Sequence, residues 1–498
     1  MSYVLGLDLG TSGLKGILVD KSGKIVDESS SEYTLMTPKR GHSEQDPKEW
    51  FRAAKEVMAA IFETTPDAKV NLEGISFSGQ MHSLVLLDEQ NEVLRPAILW
   101  NDVRTTKQCE TITSKVDNLI DITKNKALEG FTLPKLLWVK ENEPDVWNKV
   151  STFLLPKDYL GYRLTGQKQM EYSDAAGTLL LDVESRAWSS EVAEAVGVST
   201  DICPPLVQSH DEIGKLDYEV AEELGLPHDV SVFSGGADNP CAAVGAGIVR
   251  PDQGMASIGT SGVFLSYEES GDKAYNGHLH YFNHVVPNAF YTMGVTLAAG
   301  SSLNWFKKTF APEESFEELL KGVKDIKPGS DGLLFAPYIS GERTPYTDSN
   351  IRGTFLGMDI AHTRDHFARS VLEGITFSLK DSYELMKKYS SKEFSQIVSV
   401  GGGAKNPDWL QMQADIFNAP VVTLETEQGP AMGAAMIAAV GAGWFSDFEA
   451  CSKEFVKYKS EVKPNPEAVS QYEKVYANYQ EVYPTIKDLS HKLVIDND

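Results

Sequence analysis

Val4-Leu5-Gly6-Leu7-Asp8-Leu9-Gly10-Thr11-Ser12-Gly13-Leu14-Lys15-Gly16-Ile17-Leu18-Val19 decides how the rest of the chain is read. Two runs rich in Leu, Ile and Val flank a centre of Gly, Thr and Ser, so the stretch reads as strand, tight polar turn, strand. Asp8 is the one acid in the first run. At a strand end beside such a turn it has two readings. It starts an ordinary hairpin turn, or it holds a hydrated cation while backbone N–H groups and hydroxyls bind phosphate.

The turn occurs twice. Gly259-Thr260-Ser261-Gly262 repeats Gly10-Thr11-Ser12-Gly13 about half a chain later, again between apolar runs, Met255 to Ile258 and Val263 to Leu265. Recurrence with its flanks predicts two similar halves, each presenting a hydroxyl-bearing turn. At 498 residues the chain also exceeds what one core usually supports.

Composition narrows the partners. With 42% apolar and 23% charged residues the chain is of the globular soluble type. A formal net charge of −25 disfavours a nucleic-acid backbone as partner. It leaves ATP open, since local N–H groups and a metal bind phosphate on an acidic protein. No secretory signal or long apolar run is visible, so a membrane is not expected. Cys109, Cys203, Cys241 and Cys451 stand far apart, which argues against zinc or a disulfide framework and for the reducing cytoplasm.

Along the chain, Gly23 to Tyr33 extends the hairpin into a third antiparallel strand. Asp46-Pro47-Lys48-Glu49 opens a helix with Asp46 as N-cap, Pro47 at the first helical position and Glu49 where a capping box needs it. The strand from Leu72 to Phe77 runs into Ser78-Gly79-Gln80-Met81-His82. A hairpin turning at Asp88 to Asn91 then returns as Ala97 to Leu99 into Trp100-Asn101-Asp102-Val103-Arg104. Ligands sit beyond strand ends in helix-covered sheets. Gln80, His82, Asn101, Asp102 and Arg104 together supply the donors and acceptors that a polyhydroxylated ligand needs. Residues 132 to 200 read as mainly helical, with Ser173-Asp174-Ala175-Ala176-Gly177-Thr178 as a small-residue loop.

A second centre is Ser234-Gly235-Gly236-Ala237-Asp238-Asn239-Pro240, where a buried strand meets a helix. Asp238 or Asn239 there reads as an N-cap, and a carboxylate at a helix start is also a positioned, ionised base. The third is Val400-Gly401-Gly402-Gly403-Ala404, whose glycines let backbone lie against a flat or phosphorylated ligand. The chain past about residue 445 reads as helical and carries no chemistry.

These pieces imply a nucleotide in a cleft between two domains. The chain resembles the FGGY carbohydrate kinases, which share the two-domain ribonuclease H-like fold of actin and hexokinase. Besides the stretches above, the resemblance rests on Ser43-Glu44-Gln45-Asp46-Pro47, Leu155-Pro156-Lys157-Asp158-Tyr159-Leu160 and Ser340-Gly341-Glu342-Arg343-Thr344-Pro345. It implies an α/β fold of two such domains, residues 1–246 and 247–498, with mixed β-sheets flanked by helices, an ATP cleft between them and a helical tail. The Gln-Met-His and Trp-Asn-Asp-x-Arg pair is most similar to members that phosphorylate the terminal hydroxyl of D-xylulose, giving D-xylulose 5-phosphate and ADP. Val103 and Pro240 stand where related kinases often carry smaller or polar residues, which bears on sugar preference.

The resemblance also implies roles. Asp238 is the base and Asp8 sits by the γ-phosphate and Mg²⁺. Thr11, Ser12 and Lys15 form one phosphate loop; Gly259, Thr260 and Ser261 form the other. Gly402, Gly403 and Ala404 lie against adenosine, with Gly300 and Asn304 on its far side. Gln80, Met81, His82, Asn239, Asn101 and Asp102 serve the sugar, and a homodimer is the expected assembly. The competing readings are a kinase of the same family for gluconate, ribulose, fuculose or glycerol, and an actin-like or heat-shock-type ATPase. A dinucleotide-dependent dehydrogenase is disfavoured because no GxGxxG joins a strand to a helix.

Overall fold

The structure, a computed structural model, describes residues 2–495. Its first sheet is built from β1 (Tyr3–Leu9), β2 (Gly13–Asp20), β3 (Ile25–Glu32), β4 (Leu72–Gly79), β5 (Glu212–Lys215), β6 (Ser231–Phe233) and β7 (Gly236–Ala237). Its order is β5-β6-β4-β1-β2-β3, with β7 continuing beside the end of β4. The second comprises β8 (Gln253–Ile258), β9 (Gly262–Glu268), β10 (His280–Asn283), β11 (Phe290–Thr296), β12 (Gln396–Gly401), β13 (Val421–Leu424) and β14 (Tyr458–Val462), in the order β10-β11-β9-β8-β12-β13-β14.

Aligned on the two turns, the sheets repeat each other. From β3 through β2, β1, β4 and β6 to β5 the pairings run antiparallel, antiparallel, parallel, parallel, antiparallel. From β11 through β9, β8, β12 and β13 to β14 the succession is identical. The repeated tetrapeptide is thus the hairpin turn of each half. The two turns close differently: Leu9 faces Leu14, with Gly10 N donating to Gly13 O at 3.0 Å, whereas Ile258 faces Gly262, with Gly259 N donating to Ser261 O at 3.0 Å.

The helices that place the site are α1 (Pro47–Thr64), α2 (Pro156–Thr165), α3 (Tyr172–Ala176), α4 (Asp238–Gly245), α5 (Gly300–Phe310), α6 (Arg364–Ser390) and α7 (Pro430–Gly441). The apolar stripe of α1, from Trp50 and Ala54 to Ile61 and Phe62, is buried on one face of the first sheet. The opposite face is covered from the other half of the chain. Ala431, Ala435 and Ala438 of α7 share a core with Val4, Ile17, Val19 and Phe233. A Cβ on Gly6 would lie 2.3 Å from Ala431 O, and one on Gly433 2.0 Å from Cys241 O. Glycine at both positions lets β1, α4 and α7 meet backbone to backbone. In return, α4 presents Asp238, Ala242, Gly245 and Ala246 toward Met255 and Ser257 of β8, Val400 of β12 and Leu424 of β13, across a cavity of about 280 Å³. Each half therefore lends a helix to the other.

The structure corrects four local expectations. Ser173 to Ala176 belongs to α3, not a loop; the Glu171 carboxylate caps it by accepting from Ser173 N and Asp174 N. The cap of α4 is Ala237, so Asp238 is its first residue and neither Asp238 nor Asn239 is the N-cap. At α1, Asp46 caps through Lys48 N at 2.9 Å, and Glu49 pairs with Arg52 instead of closing a capping box. The segment past residue 445 also contains a strand, β14, which extends the second sheet.

Candidate active site

Strand register brings the two aspartates to one place. Asp8 is paired with Ser78 and Ser78 with Gly236, while Leu9, Gly79 and Ala237 form the next row. Asp238 directly follows Ala237. At strand spacing, the backbones carrying the two acids stand roughly 10 Å apart at the same sheet end. Asp238 Oδ1 accepts from Asn239 N at 2.7 Å and Asn239 Nδ2 at 2.9 Å, which fixes its rotamer.

Burial pushes the Asp238 carboxyl up to about 7; the charge of Asp8 adds to the rise and the two Asn239 hydrogen bonds oppose it. Burial likewise lifts Asp8 to about 6, with the Ser78 hydroxyl and then Lys15 pulling the other way. A base that titrates near 7 is matched to proton transfer at neutral pH. A profile of kcat/KM against pH is expected to fall below about pH 7 as Asp238 takes up its proton; a profile flat to pH 5 counts against that assignment.

The first turn is braced from outside. Tyr33 donates to Gly10 O at 2.5 Å, Gln45 Nε2 to Thr11 O at 2.6 Å and the Trp100 indole to Thr11 Oγ at 2.9 Å. Ser12 stays exposed at the tip. Lys15 lies opposite Asp8, and its ammonium reaches Gln428 of the other half and Glu28 at 3.3 Å.

The second turn docks on the start of α5, where Gly300 N donates to Gly259 O at 2.8 Å and Ser301 N to Thr260 O at 3.1 Å. A Cβ on Gly300 would stand 2.4 Å from Gly259 O. Thr260, Ser261 and Asn304 are exposed. Gly402, Gly403 and Ala404 form a single helical turn after β12; Gly403 packs on Ile258 at the end of β8, and its carbonyl accepts from Gln413. These segments converge around the end of β8.

On the other side, His82 adopts a left-handed backbone (φ 67°), and its Nδ1 lies 2.7 Å from Gly177 O. A carbonyl only accepts, so Nδ1 carries the proton and Nε2 is left as an acceptor. Burial drives its pKa down to about 3, keeping the ring neutral. The ring packs against Phe131 and Phe282. Met81 Sδ takes weak contacts from Asn239 Nδ2 (3.6 Å) and the Tyr291 hydroxyl (3.7 Å). So Met81, His82, Asp238 and Asn239 stand together.

Gln80 and Asp102 are turned inward. Gln80 is 2% exposed and reaches Gln45 and Gly10 O, bracing the first turn. Asp102 is wholly buried and accepts from Ser43 N, Arg104 N and the Arg104 guanidinium. Against the push of burial, these bonds hold its carboxyl below the usual range. Asn101 remains exposed beside Trp100.

The sequence shows Trp100 and Arg343 inside motifs without assigning either a role, and does not mark Tyr291. The Trp100 indole ties the loop before Asn101 to the first turn. Tyr291 reaches Met81 from the second sheet, and Arg343 shares a small crevice with Asn125 and His280. The Trp100 motif was visible without its partner; nothing local marked Tyr291.

Residues 3–245 match the N-terminal domain and residues 254–442 the C-terminal domain of the FGGY family of carbohydrate kinases. The chain belongs to that family, and is a carbohydrate kinase. It is 53% identical over 494 residues to the xylulose kinase of Bacillus subtilis, covering 99% of both chains. It is 54% identical over 500 residues to that of Lactococcus lactis, covering 100% of both. A ligand-bound xylulose kinase structure from Lactobacillus acidophilus superposes with a TM-score of 0.93 at 27% identity, over 99% of this chain and 100% of that one.

Proposed function

We propose that the protein transfers the γ-phosphoryl group of ATP to the terminal hydroxyl of D-xylulose, giving D-xylulose 5-phosphate and ADP. Two relatives above half identity over their full length bear the name of that activity. The observation that carries the chemistry is the placement of Asp238, a carboxyl lifted to about 7 at the sheet end that also carries Asp8, with Asn239 next to it touching Met81. The phosphoryl group passes between the halves: residues 1–246 hold the sugar and residues 247–498 hold most of the ATP.

Asp238 accepts the proton of the attacking hydroxyl, and Asn239 keeps its carboxylate oriented. His82 Nε2 accepts from a second sugar hydroxyl, with Met81 and Asn101 lining the pocket and Gln80 and Asp102 bracing it from behind. Thr11, Ser12 and Lys15 face the phosphates from one side, and Gly259, Thr260 and Ser261 from the other. Gly402, Gly403 and Ala404 line the adenosine, with Gly300 and Asn304 across from them. Phosphoryl transfer needs an in-line hydroxyl, neutralised oxygens and excluded water, which a closing cleft supplies.

Mg²⁺ fits the donors present. Asp8 and Asp238 are poorly compensated acids whose proton affinity a cation would lower. Among the described residues no cluster of three metal-binding side chains occurs. Mg²⁺ is commonly held by one or two carboxylates together with water and substrate phosphates. Asp8 would hold it, and when bound it neutralises charge on the transferring group. A homodimer in the cytoplasm belongs to the same reading, and four cysteines far apart in the sequence agree with a reducing compartment.

The test is ADP release across ketoses, sugar acids and polyols. D-xylulose is expected to give the highest kcat/KM; an equal or better rate with gluconate, ribulose, fuculose or glycerol assigns another sugar. His82→Phe keeps the ring packing but loses both the Nε2 acceptor and the Nδ1 donor to Gly177 O. It is expected to raise the KM for D-xylulose about tenfold, leaving the KM for ATP within twofold.

A further inference from the structure

Beneath the sugar side lies a cluster that the reaction does not use. The Lys157 ammonium, on α2, is wholly buried. It lies 2.5 Å from Asp158, 3.2 Å from Asp174 and 3.3 Å from Glu171, all buried themselves. Three carboxyls against one ammonium is an expensive arrangement for a protein interior. Replacing such a cluster with apolar side chains is often neutral or stabilising, so packing alone does not account for it.

Its connections indicate a use. Glu171 accepts from Ser173 N (2.7 Å), Asp174 N (2.8 Å), Ser173 Oγ (2.8 Å) and Ser209 Oγ (3.0 Å), which saturates its carboxylate and immobilises α3. With its proton given to Glu171, Ser173 Oγ accepts from Ala237 N at 3.0 Å, the amide just before Asp238. At the other end of α3, Gly177 O accepts a hydrogen bond from the Nδ1–H of His82. Lys157 also packs on the end of β4, its Cβ 2.9 Å from where a Cβ on Gly79 would be, in the row that pairs Gly79 with Ala237. One five-residue helix therefore holds both the proposed base and the histidine, through one hydrogen bond each.

We infer that Lys157, Asp158, Glu171 and Asp174 are positioning residues for the sugar reaction. They lock α3 so that Ser173 sets the backbone of Asp238 and Gly177 sets the tautomer and direction of His82. The inference rests on the sugar-kinase reading above. Asp174, the second acid on α3, is tied to the cluster by the Lys157 ammonium at 3.2 Å, while burial raises its proton affinity well above that of an ordinary carboxylate.

The decisive variants are Ser173→Ala, Ser173→Thr and Glu171→Gln, assayed in the full chain with D-xylulose and ATP varied separately. Lys157→Met strands three buried acids and is unsuited as the first test. Ser173→Ala is expected to lower kcat about tenfold and raise the KM for D-xylulose several-fold. The KM for ATP and the sugar-independent ATPase rate stay within twofold, and Ser173→Thr, which restores the hydroxyl, recovers most of the loss. Glu171→Gln, whose amide NH2 faces at least two of these donors in either orientation, gives the same sugar-selective loss or a larger one. A wild-type rate for Ser173→Ala overturns the inference. So does an equal loss toward both substrates with a lowered Tm, which marks a merely structural part. If the wild-type protein itself fails to phosphorylate D-xylulose, the proposed substrate falls, whatever the variants do.

Discussion

Asp238→Asn is expected to lower sugar phosphorylation by about 10²–10⁴-fold, the usual contribution of a positioned base. The KM for ATP should stay within a few-fold, because the contacts proposed for the nucleotide lie on the two turns and around β8. The same variant should be more stable than the parent at pH 8. The Asp238 carboxyl titrates at about 7 in the folded protein against 3.8 ordinarily, so the folded state holds that proton the more tightly. The stability this contributes is fully present below about pH 4 and is lost as pH rises through 7. At pH 8 the ionised group costs the fold about 1–3 kcal/mol after allowance for its partial exposure. Asparagine carries no charge and removes that cost. Thermal unfolding should therefore show a higher Tm for the variant at pH 8 and a difference near zero at pH 4. Normal turnover in the variant would remove Asp238 as the base; a lower Tm at pH 8 would show that its charge is compensated after all.

Gly433→Ala should have the larger effect on stability. A Cβ there meets Cys241 O at 2.0 Å, its carbonyl carbon at 2.5 Å and its Cα at 2.7 Å, all backbone of α4. No rotamer change relieves a backbone overlap, so α4 and α7 must separate. The cost should reach about 3–5 kcal/mol, the upper range for single substitutions. Denaturant titration is the measurement, and an unchanged midpoint would mean that the two helices part without cost. Because α4 starts at Asp238, the surviving enzyme should also show a reduced kcat. Ala431→Gly, next to the contact with Gly6, is a suitable control, since it adds no atom.

The parts of this architecture that a reader of the sequence reaches are those written in local chemistry. Asp8, the two Gly-Thr-Ser-Gly turns, the Gly-rich end of β12 and Asp238 all announce themselves at strand ends, and the repeated turn predicts the repeated sheet. What stays hidden depends on long-range partners. Ser173 to Thr178 has no periodic apolar face, so α3 is silent; its stability comes from the Glu171 cap and the Lys157 cluster fourteen residues and more away. Tyr458 to Val462 is exposed along most of its length, as an edge strand is, and lacks the alternation that marks a half-buried strand. The run from Ala431 to Ala439 is apolar on every side. It reads as a packed helix, but nothing in it says which sheet it will cover. Gln80 and Asp102 carry polar side chains suited to a ligand, yet their hydrogen bonds are spent within the scaffold.

The lent helix α7 has a consequence for how the chain emerges from the ribosome. The first sheet is complete in sequence by Ala237, yet one of its faces waits for a helix that ends at Gly441. Val4, Ile17, Val19 and Phe233 must stay exposed or be shielded during some two hundred further residues of synthesis. At roughly 5–20 residues per second that interval lasts on the order of ten seconds or more. A nascent chain halted before α7 is thus a sticky species with a bare sheet face, open to chaperones and to aggregation. Separately expressed halves should be insoluble alone and recover only when made together.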